Sequence, residues 1–164
     1  MSVLAILGSS RSNGNTRVFL DCVLAGREAT RLDLCDYELS HYDYDLPMER
    51  DDFPRIAEQL RAHSTLLFAT PVYWYSMSGR MKVLFDRLTD LLDRQLSMEG
   101  KAVFLLATGT KPELPDGFEV PFRDTAAYLG MHYEGSIYAC MRESGQVSQE
   151  AEDHALQFAK QVFA

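Results

Sequence analysis

The sequence predicts an α/β fold in which a five-stranded parallel sheet, in the order 2-1-3-4-5, carries helices on both faces as a three-layer sandwich. Three observations lead to it. Short apolar runs are typical of strands buried on both faces, apolar residues at helical spacing fill the segments between them, and the two alternate strictly, which requires parallel pairing through right-handed crossovers. We expect one domain over residues 1–164.

The first two strands flank an amphipathic helix. The apolar run at 3–7 predicts strand 1. Apolar residues at helical spacing over 15–25 predict helix 1, in which Cys22 lies on the apolar face and Gly26 ends the helix. Alternating residues over 31–35 predict a short strand 2.

A polar loop separates strand 2 from the central elements. Residues 36–52 are acidic, tyrosine-rich and aperiodic, which predicts a loop that is a substrate lid, a subunit contact or an ordinary surface segment. Asp52 is expected to cap helix 2 over 53–62. The wholly apolar run 65–69 predicts a central strand 3, and 78–92 predicts a strong helix 3.

Two further strand–helix pairs complete the pattern. Strand 4 is predicted over 102–107, and helix 4 over 122–129, where Gly130 closes it. Strand 5 is predicted over 131–139, and spaced apolar residues over 147–162 predict the last helix. In such sheets ligands bind beyond the carboxyl ends of the strands, at the switch point between strands 1 and 3.

The loop after strand 1 has the composition of an anion site. It is rich in hydroxyls and glycine, and it leads into a helix N-terminus, where unpartnered N–H groups and the helix dipole favour negative charge. The alternative is an ordinary polar turn capped by Asn or Ser. Neither a triphosphate-binding glycine–lysine loop nor a dinucleotide fingerprint is present. The candidate phosphate ligands are Ser9, Arg11, Ser12, Gly14, Asn15 and Thr16.

The loops after strands 3 and 4 suit a flat aromatic ligand. The first is unusually aromatic for a surface loop, which favours either a wall for a heterocycle or a hydrophobic plug or subunit contact. The second is small and permits close backbone approach. Together with a phosphate site, these loops predict flavin mononucleotide (FMN). The candidate residues are Pro71, Val72, Tyr73, Trp74, Thr108, Gly109 and Thr110.

Two segments resemble a known family. Residues 8–16, GSSRSNGNT, are similar to the phosphate loop G-S-x-R-x-x-G-N-T of the NAD(P)H-dependent FMN reductases, which have a flavodoxin-like fold. Residues 70–74, TPVYW, followed by Gly79, Lys82 and the Phe-Asp-Arg run at 85–87, resemble that family's second signature. The two segments have the family's order and spacing.

The resemblance implies a function. It implies noncovalently held FMN, reduced by hydride from NADH or NADPH, which then reduces a small acceptor such as a quinone, a nitroaromatic or free flavin. The flavin carries the chemistry, so no side chain is expected to be catalytic. A homodimer is usual in the family, and a tetramer stays open. The alternative is an FMN-binding electron carrier or flavin sensor without nicotinamide turnover.

Composition excludes several other classes. The formal charge of −8 argues against nucleic-acid and anionic-membrane partners. The three cysteines and four histidines lack metal-ligand spacing, and the region after strand 2 lacks the cysteine cluster of the iron–sulfur branch of the family, so we expect no metal. We find no signal peptide or membrane span, and we expect a cytoplasmic protein.

Four charged residues of helix 3 have structural interpretations. Arg80 lies near the expected pocket mouth and is interpreted as a solvated charge rather than a contact to the nicotinamide nucleotide. Lys82, Asp86 and Arg87 are expected to form ion pairs on the helix surface or dimer contacts.

Overall fold

The computed structural model describes residues 2–142 and 145–164. Its strands form one parallel sheet in the order β2-β1-β3-β4-β5, which confirms the predicted architecture. The strands are β1 (Val3–Leu7), β2 (Thr30–Asp33), β3 (Thr65–Pro71), β4 (Ala102–Gly109) and β5 (His132–Cys140). The helices are α1 (Asn15–Leu24), α2 (Phe53–Ala62), α3 (Gly79–Asp93), α4 (Val120–Tyr128) and α5 (Gln149–Val162).

The sheet separates two apolar clusters. Alternate residues of β1 show the division, because Leu4 and Ile6 pack with α2, α3 and α4, whereas Ala5 and Leu7 pack with α1 and α5. Every residue of β1 and β3 is buried, as expected for central strands covered on both faces. The resulting rigid sheet fixes the positions of the loops that leave its carboxyl edge.

The two central strands extend further than predicted. Pro71 of β3 pairs with Thr108 of β4, and the Val72 N–H donates to the Thr108 carbonyl over 2.7 Å. Residues 70–71 and 108–109, expected in loops, therefore belong to strand ends. Backbone pairing holds them, so the edge of the candidate site is built on the sheet rather than on free loops.

Other boundaries move for local reasons. Strand β2 ends at Asp33 because the Asp33 carboxylate accepts from the Cys35 N–H at 2.9 Å and starts a 3₁₀ turn over Leu34–Asp36. Helix α5 starts at Gln149 rather than at 147, since the Ser148 hydroxyl accepts from the Ala151 N–H at 3.2 Å.

Asp52 occupies the N-cap position of α2, as predicted, but its side chain makes no capping hydrogen bond. The Asp51 carboxylate, not that of Asp52, accepts from the first helical N–H, that of Phe53, at 2.9 Å. The Asp52 carboxylate instead accepts from the Glu38 N–H at 2.9 Å and closes the base of the preceding loop.

Cys22 is only half-buried, although its side chain packs against the α1–α5 cluster. Burial, and then the nearby carboxylates of Glu152 and Asp21, raise the pKa of its thiol. No helix in residues 2–142 or 145–164 is both long and apolar enough to cross a bilayer.

The prediction for α3 was right for Lys82 and Asp86 and wrong for Arg87. Lys82 and Asp86 form an ion pair on the exposed face of the helix, one turn apart. Arg87 is completely buried, because the loop over 36–52 folds across it.

Arg87 anchors that loop through several contacts. Its Nε donates to the Asp90 carboxylate, and its guanidinium lies 4.6 Å from the ring centroid of Phe53. Both carboxylates that pair with the guanidinium, Asp51 and Asp90, have side chains less than 10% exposed. The guanidinium also donates to three groups of the loop, namely the Asp51 carboxylate and the carbonyls of Ser40 and Met48. The loop is thus an ordered segment held by the buried Arg87 and, from within the loop, by the nearly buried Arg50, which donates to three loop carbonyls and lies 4.0 Å from the Asp90 carboxylate.

Candidate FMN-binding site

Two adjoining clefts open beyond the carboxyl ends of β1, β3 and β4. The first cleft, of about 150 Å³, is lined by Ser9, Arg11, Gly14, Asn15, Thr16, Pro71, Val72, Tyr73, Thr108, Gly109, Thr110 and Met141. The second cleft, of about 230 Å³, is lined by Val72, Trp74, Tyr75, Gly109, Thr110, Lys111, Pro115 and Tyr138. Because they share Val72, Gly109 and Thr110, one ligand can run from the first cleft into the second.

The N-terminus of α1 forms the polar end of the first cleft. Gly14 occupies the cap position in an extended conformation, and no side chain of residues 2–142 or 145–164 caps the helix. The first intrahelical bond runs from the Val18 N–H to the Gly14 carbonyl at 3.2 Å. The N–H groups of residues 15–17 therefore lack protein partners within the described chain, and they face outward with the positive end of the helix dipole.

The hydroxyls and the amide of this loop already have protein partners. The Ser9 hydroxyl accepts from the Arg11 N–H at 3.2 Å, and the Thr16 and Thr108 hydroxyls lie 2.7 Å apart. The Asn15 amide donates to the Met141 carbonyl at 3.2 Å. Its oxygen accepts from the N–H of residue 145 at 3.0 Å, so this side chain fastens the loop after β5. These groups shape the cleft, and the backbone N–H groups remain as its donors.

Arg11 supplies a cation beside those donors. Its side chain is exposed, and among the described residues it forms no ion pair. Arg17, in the first turn of α1, instead pairs with Asp21 at 3.0 Å. A planar guanidinium with open donors next to a helix N-terminus suits a phosphate group. Ser12, predicted with this set, is exposed and lines neither cleft.

The loop after β3 contains a strained turn. The N–H groups of Tyr73 and Ser76 each donate to the other residue's carbonyl, at 2.9 and 3.0 Å. Between them Trp74 and Tyr75 have φ of 48° and 67°, a left-handed conformation that glycine or asparagine adopts more readily. The turn leaves Trp74 93% exposed at the rim of the second cleft. Tyr73, by contrast, lines the first cleft.

The loop after β4 packs closely against β5. A Cβ on Gly109 would lie 2.6 Å from the Tyr138 hydroxyl, so any other residue there would force that hydroxyl to move. That hydroxyl donates to the Lys111 carbonyl at 2.7 Å, and burial raises its pKa. The Lys111 ammonium donates to the Tyr75 hydroxyl at 2.9 Å and thereby joins the loops after β3 and β4 across the second cleft.

Sequence reasoning missed several lining residues. Met141 follows β5, and its N–H donates to the Gly109 carbonyl at 2.7 Å, which brings the end of β5 into the first cleft. Only the loops after strands 1, 3 and 4 were expected to contribute. Tyr75 and Lys111 each follow a predicted site residue in the chain. Their positions in the predicted loops could therefore have identified them. The residues missed in the second cleft are Tyr75, Lys111, Pro115 and Tyr138.

The clefts fit a mononucleotide that carries a flat ring. Sites for ligands of that size occupy about 300–1,000 Å³, so neither cleft is large enough alone and a ligand has to span both. The first cleft offers open N–H groups and a guanidinium, whereas the second offers Val72 and Pro115 with tyrosine and tryptophan rings. A phosphate therefore matches the first cleft and a heterocycle matches the second.

Comparisons with known proteins agree with this geometry. Residues 1–146 match the family model of the NADPH-dependent FMN reductases. A Bacillus subtilis (strain 168) protein, YwqN, named as an NAD(P)H-dependent FMN-containing oxidoreductase, is 28% identical over 151 residues, which are 84% of this chain and 83% of that protein.

Solved structures share the fold. An NADPH-quinone reductase of P. pentosaceus superposes with a TM-score of 0.69 at 16% identity, over 98% of this chain and 96% of that one. Oxidised flavodoxin 1 of Bacillus cereus gives a TM-score of 0.64 at 13% identity, over 99% of this chain and 97% of that one. The sheet of the present chain is therefore flavodoxin-like, as the sequence predicts.

Proposed function

This chain belongs to the NADPH-dependent FMN reductase family, and from that premise we propose that it carries hydride from NAD(P)H through FMN to a small planar acceptor. FMN is its cofactor and a reduced nicotinamide nucleotide its electron donor, as throughout the family. The observation that carries the proposal is the pair of joined clefts, one polar and cationic and one aromatic, at the switch point of the sheet.

The first cleft is the proposed phosphate site. The N–H groups of residues 15–17 donate to the phosphate oxygens, and the Arg11 guanidinium closes over them from the solvent side. This local arrangement offsets the overall charge of −8, because exposed charges further than about 8 Å away are largely screened at physiological salt. The hydroxyls of Thr16 and Thr108 brace the two loops rather than carry the charge.

The second cleft is the proposed ring site. Bound FMN supplies the hydride-accepting chemistry, and the protein supplies position and electrostatics. Val72 and Gly109 present backbone at the junction of the clefts, Tyr75 and Tyr138 form walls, and Trp74 stands at the rim. With FMN bound, these groups would orient its ring and exclude water on the side of the cleft walls, and the open side of the cleft would admit the donor and the acceptor.

The acceptor is proposed to be a quinone or another planar aromatic oxidant. An open cleft with aromatic residues at its rim binds flat molecules by stacking rather than through specific hydrogen bonds. The P. pentosaceus protein of the same fold is described as an NADPH-quinone reductase, which supports this class.

A homodimer is the proposed assembly. Tyr73, Trp74 and Tyr75 are 40%, 93% and 60% exposed, and a second copy that covers this rim would bury them beside the ring site. Sedimentation equilibrium of the FMN-loaded protein tests this, and a monomer at tens of micromolar would contradict it.

Two experiments, a flavin titration and calorimetry of a phosphate-site variant, test the proposed function. Anaerobic titration of the FMN-loaded protein with NADPH or NADH should bleach the flavin absorption and restore it on addition of a quinone. Bleaching only with dithionite would instead identify a carrier or a sensor.

The phosphate site is tested by calorimetry with Arg11→Ala. Loss of a charge-assisted contact, on the order of 1.5–3 kcal/mol, should weaken FMN binding about 10- to 150-fold. Riboflavin, which lacks the phosphate, should bind both proteins equally. Arg17→Ala is the matched control, because Arg17 pairs with Asp21 on the same helix. Equal FMN affinity of the Arg11→Ala and Arg17→Ala proteins would refute the assignment.

A further inference from the structure

The second cleft contains one lysine that the proposed function has not used. Lys111 lies two residues beyond the end of β4, and the hydrogen bond from Tyr138 to its carbonyl fixes its backbone. Its ammonium lies 2.9 Å from the Tyr75 hydroxyl and 4.6 Å from the centroid of the Tyr75 ring. No carboxylate of the described residues pairs with it.

The other lysines differ in their surroundings. Lys82 pairs with Asp86 on the surface of α3, Lys101 donates to backbone carbonyls behind the sheet, and Lys160 donates to the Gln157 amide oxygen on α5. Lys111 is therefore the lysine of the described chain that lines the ring cleft without pairing with a carboxylate, although Glu113 and Asp116 line a neighbouring cleft with it. This cation lies at the ring site although the chain as a whole has a net charge of −8.

We propose, building on the proposed function, that Lys111 neutralises the negative charge that FMN gains on reduction and so sets the reduction potential of the protein. Transfer of one hydride moves one proton and two electrons from the reduced nicotinamide to the ring. The nicotinamide is left oxidised, and the ring system gains one net negative charge. A cation at the wall of the ring site stabilises that product relative to the neutral oxidised ring.

The surroundings of Lys111 already favour an anion. The pKa of the Tyr75 hydroxyl is lowered, chiefly because Lys111 donates a hydrogen bond to it and further through the attraction of its charge. Tyr75 also holds the ammonium at the cleft wall, which makes Tyr75 a positioning residue for Lys111. Lys111 itself lines the proposed ring site.

The test is the midpoint potential of bound FMN, measured by anaerobic equilibration with a reference dye. In Lys111→Gln the oxidised cofactor should bind within about twofold of the native affinity, whereas the reduced form should bind about tenfold more weakly. That ratio corresponds to a potential lower by about 30 mV for a two-electron couple. Lys111→Arg, which keeps the charge, should lie close to the native potential.

Lys82→Gln is the matched control, because it removes the same charge from the exposed face of α3. A potential equal in Lys111→Gln and native protein would overturn the proposal. If that unchanged potential is accompanied by a loss of preference for NADPH over NADH, Lys111 is assigned to the nucleotide phosphate instead. Failure of the native protein to retain FMN refutes the proposed function itself, and the present inference with it.

Discussion

Replacement of Arg87 by methionine tests how the acidic loop is held. The side chain is fully buried, and it pairs with Asp51 and Asp90, whose side chains are 7% and 6% exposed. Methionine fills much of the volume but leaves the buried Asp51 carboxylate without its cation, while Asp90 keeps only its longer contact to Arg50, at 4.0 Å. Removal of one partner of a buried ion pair costs about 3–5 kcal/mol. For a chain of this length that free energy corresponds to a Tm lower by about 6–20 °C.

The assay is urea denaturation followed by far-UV circular dichroism at pH 7. The control is Arg94→Met, which removes an ion pair between α3 and the same loop, because Arg94 contacts Glu49 at 2.8 Å. Both partners of that pair are about half exposed, so the loss should be below about 1 kcal/mol.

If Arg87→Met does not fold, Arg87→Lys provides the measurement. Lysine keeps the charge but not the planar set of donors that reaches both carboxylates and two carbonyls, so an intermediate loss is expected. A loss in Arg87→Met no larger than that in Arg94→Met would refute the view that the buried guanidinium pins the loop.

Three other predictions follow from single contacts. Burial raises the pKa of Asp51, but hydrogen bonds from Arg87, Ser40 and two backbone N–H groups outweigh it and hold the pKa below 3.8. The resulting stability is present above about pH 4 and is lost as the pH falls further, so the urea midpoint should fall less from about pH 4 to about pH 2.5 in Asp51→Asn than in native protein. The free energy of unfolding of Trp74→Gly should be about 1 kcal/mol higher than that of Trp74→Ala, because both variants lack the exposed ring and only glycine relieves the left-handed strain. Equal urea midpoints of the two variants would contradict this. Gly109→Ala should lower stability by about 1–3 kcal/mol, because its Cβ would displace the Tyr138 hydroxyl from the Lys111 carbonyl, and a variant as stable as native protein would show that the loop adapts freely.

The sequence predicted the sheet because the apolar patterns are local and unambiguous. The wholly apolar runs of β1, β3 and β4 can only be strands buried on both faces, and strict alternation with helices then restricts the topology. Element ends were harder to predict. The extension of β3 to Pro71 depends on its pairing with Thr108, and such partners lie far away in the sequence.

Arg87 shows why burial of a charged residue escaped prediction. On α3 it is spaced like a surface residue, and a lone arginine is normally exposed. Its burial depends on the loop over 36–52, which supplies two carbonyls and the Asp51 carboxylate, together with Asp90 on α3 itself. Nothing local in the sequence shows that an acidic, aperiodic loop folds back over one helix.

The sequence predicted which loops form the candidate site and which types of residue they contribute. Placing anion ligands after strand 1 and aromatic residues after strand 3 needs only the switch-point rule. The roles within each loop depend on contacts, such as the bond that directs the Asn15 amide to the Met141 carbonyl instead of a ligand. The contribution of β5 was missed for the same reason, because the register of β5 on β4 brings Met141 to the cleft.

Three departures from local preference meet at the same edge of the sheet. Helix α1 starts at Gly14 without a side-chain cap, Trp74 and Tyr75 adopt a left-handed turn, and Lys111 faces a cleft without a carboxylate. With glycine at the cap, the missing side-chain bond costs only a few tenths of a kcal/mol, whereas the left-handed conformation costs about 1–2 kcal/mol per residue. The strain in the turn is not offset by burial of Trp74, which is almost fully exposed. Their common effect is a row of unused donors and ring faces, and a ligand present at 100 times its Kd returns about 2.7 kcal/mol of stability. The stability lost at this edge is therefore of the size that a bound cofactor restores, whereas Arg87 on α3 anchors the loop after β2 without any ligand.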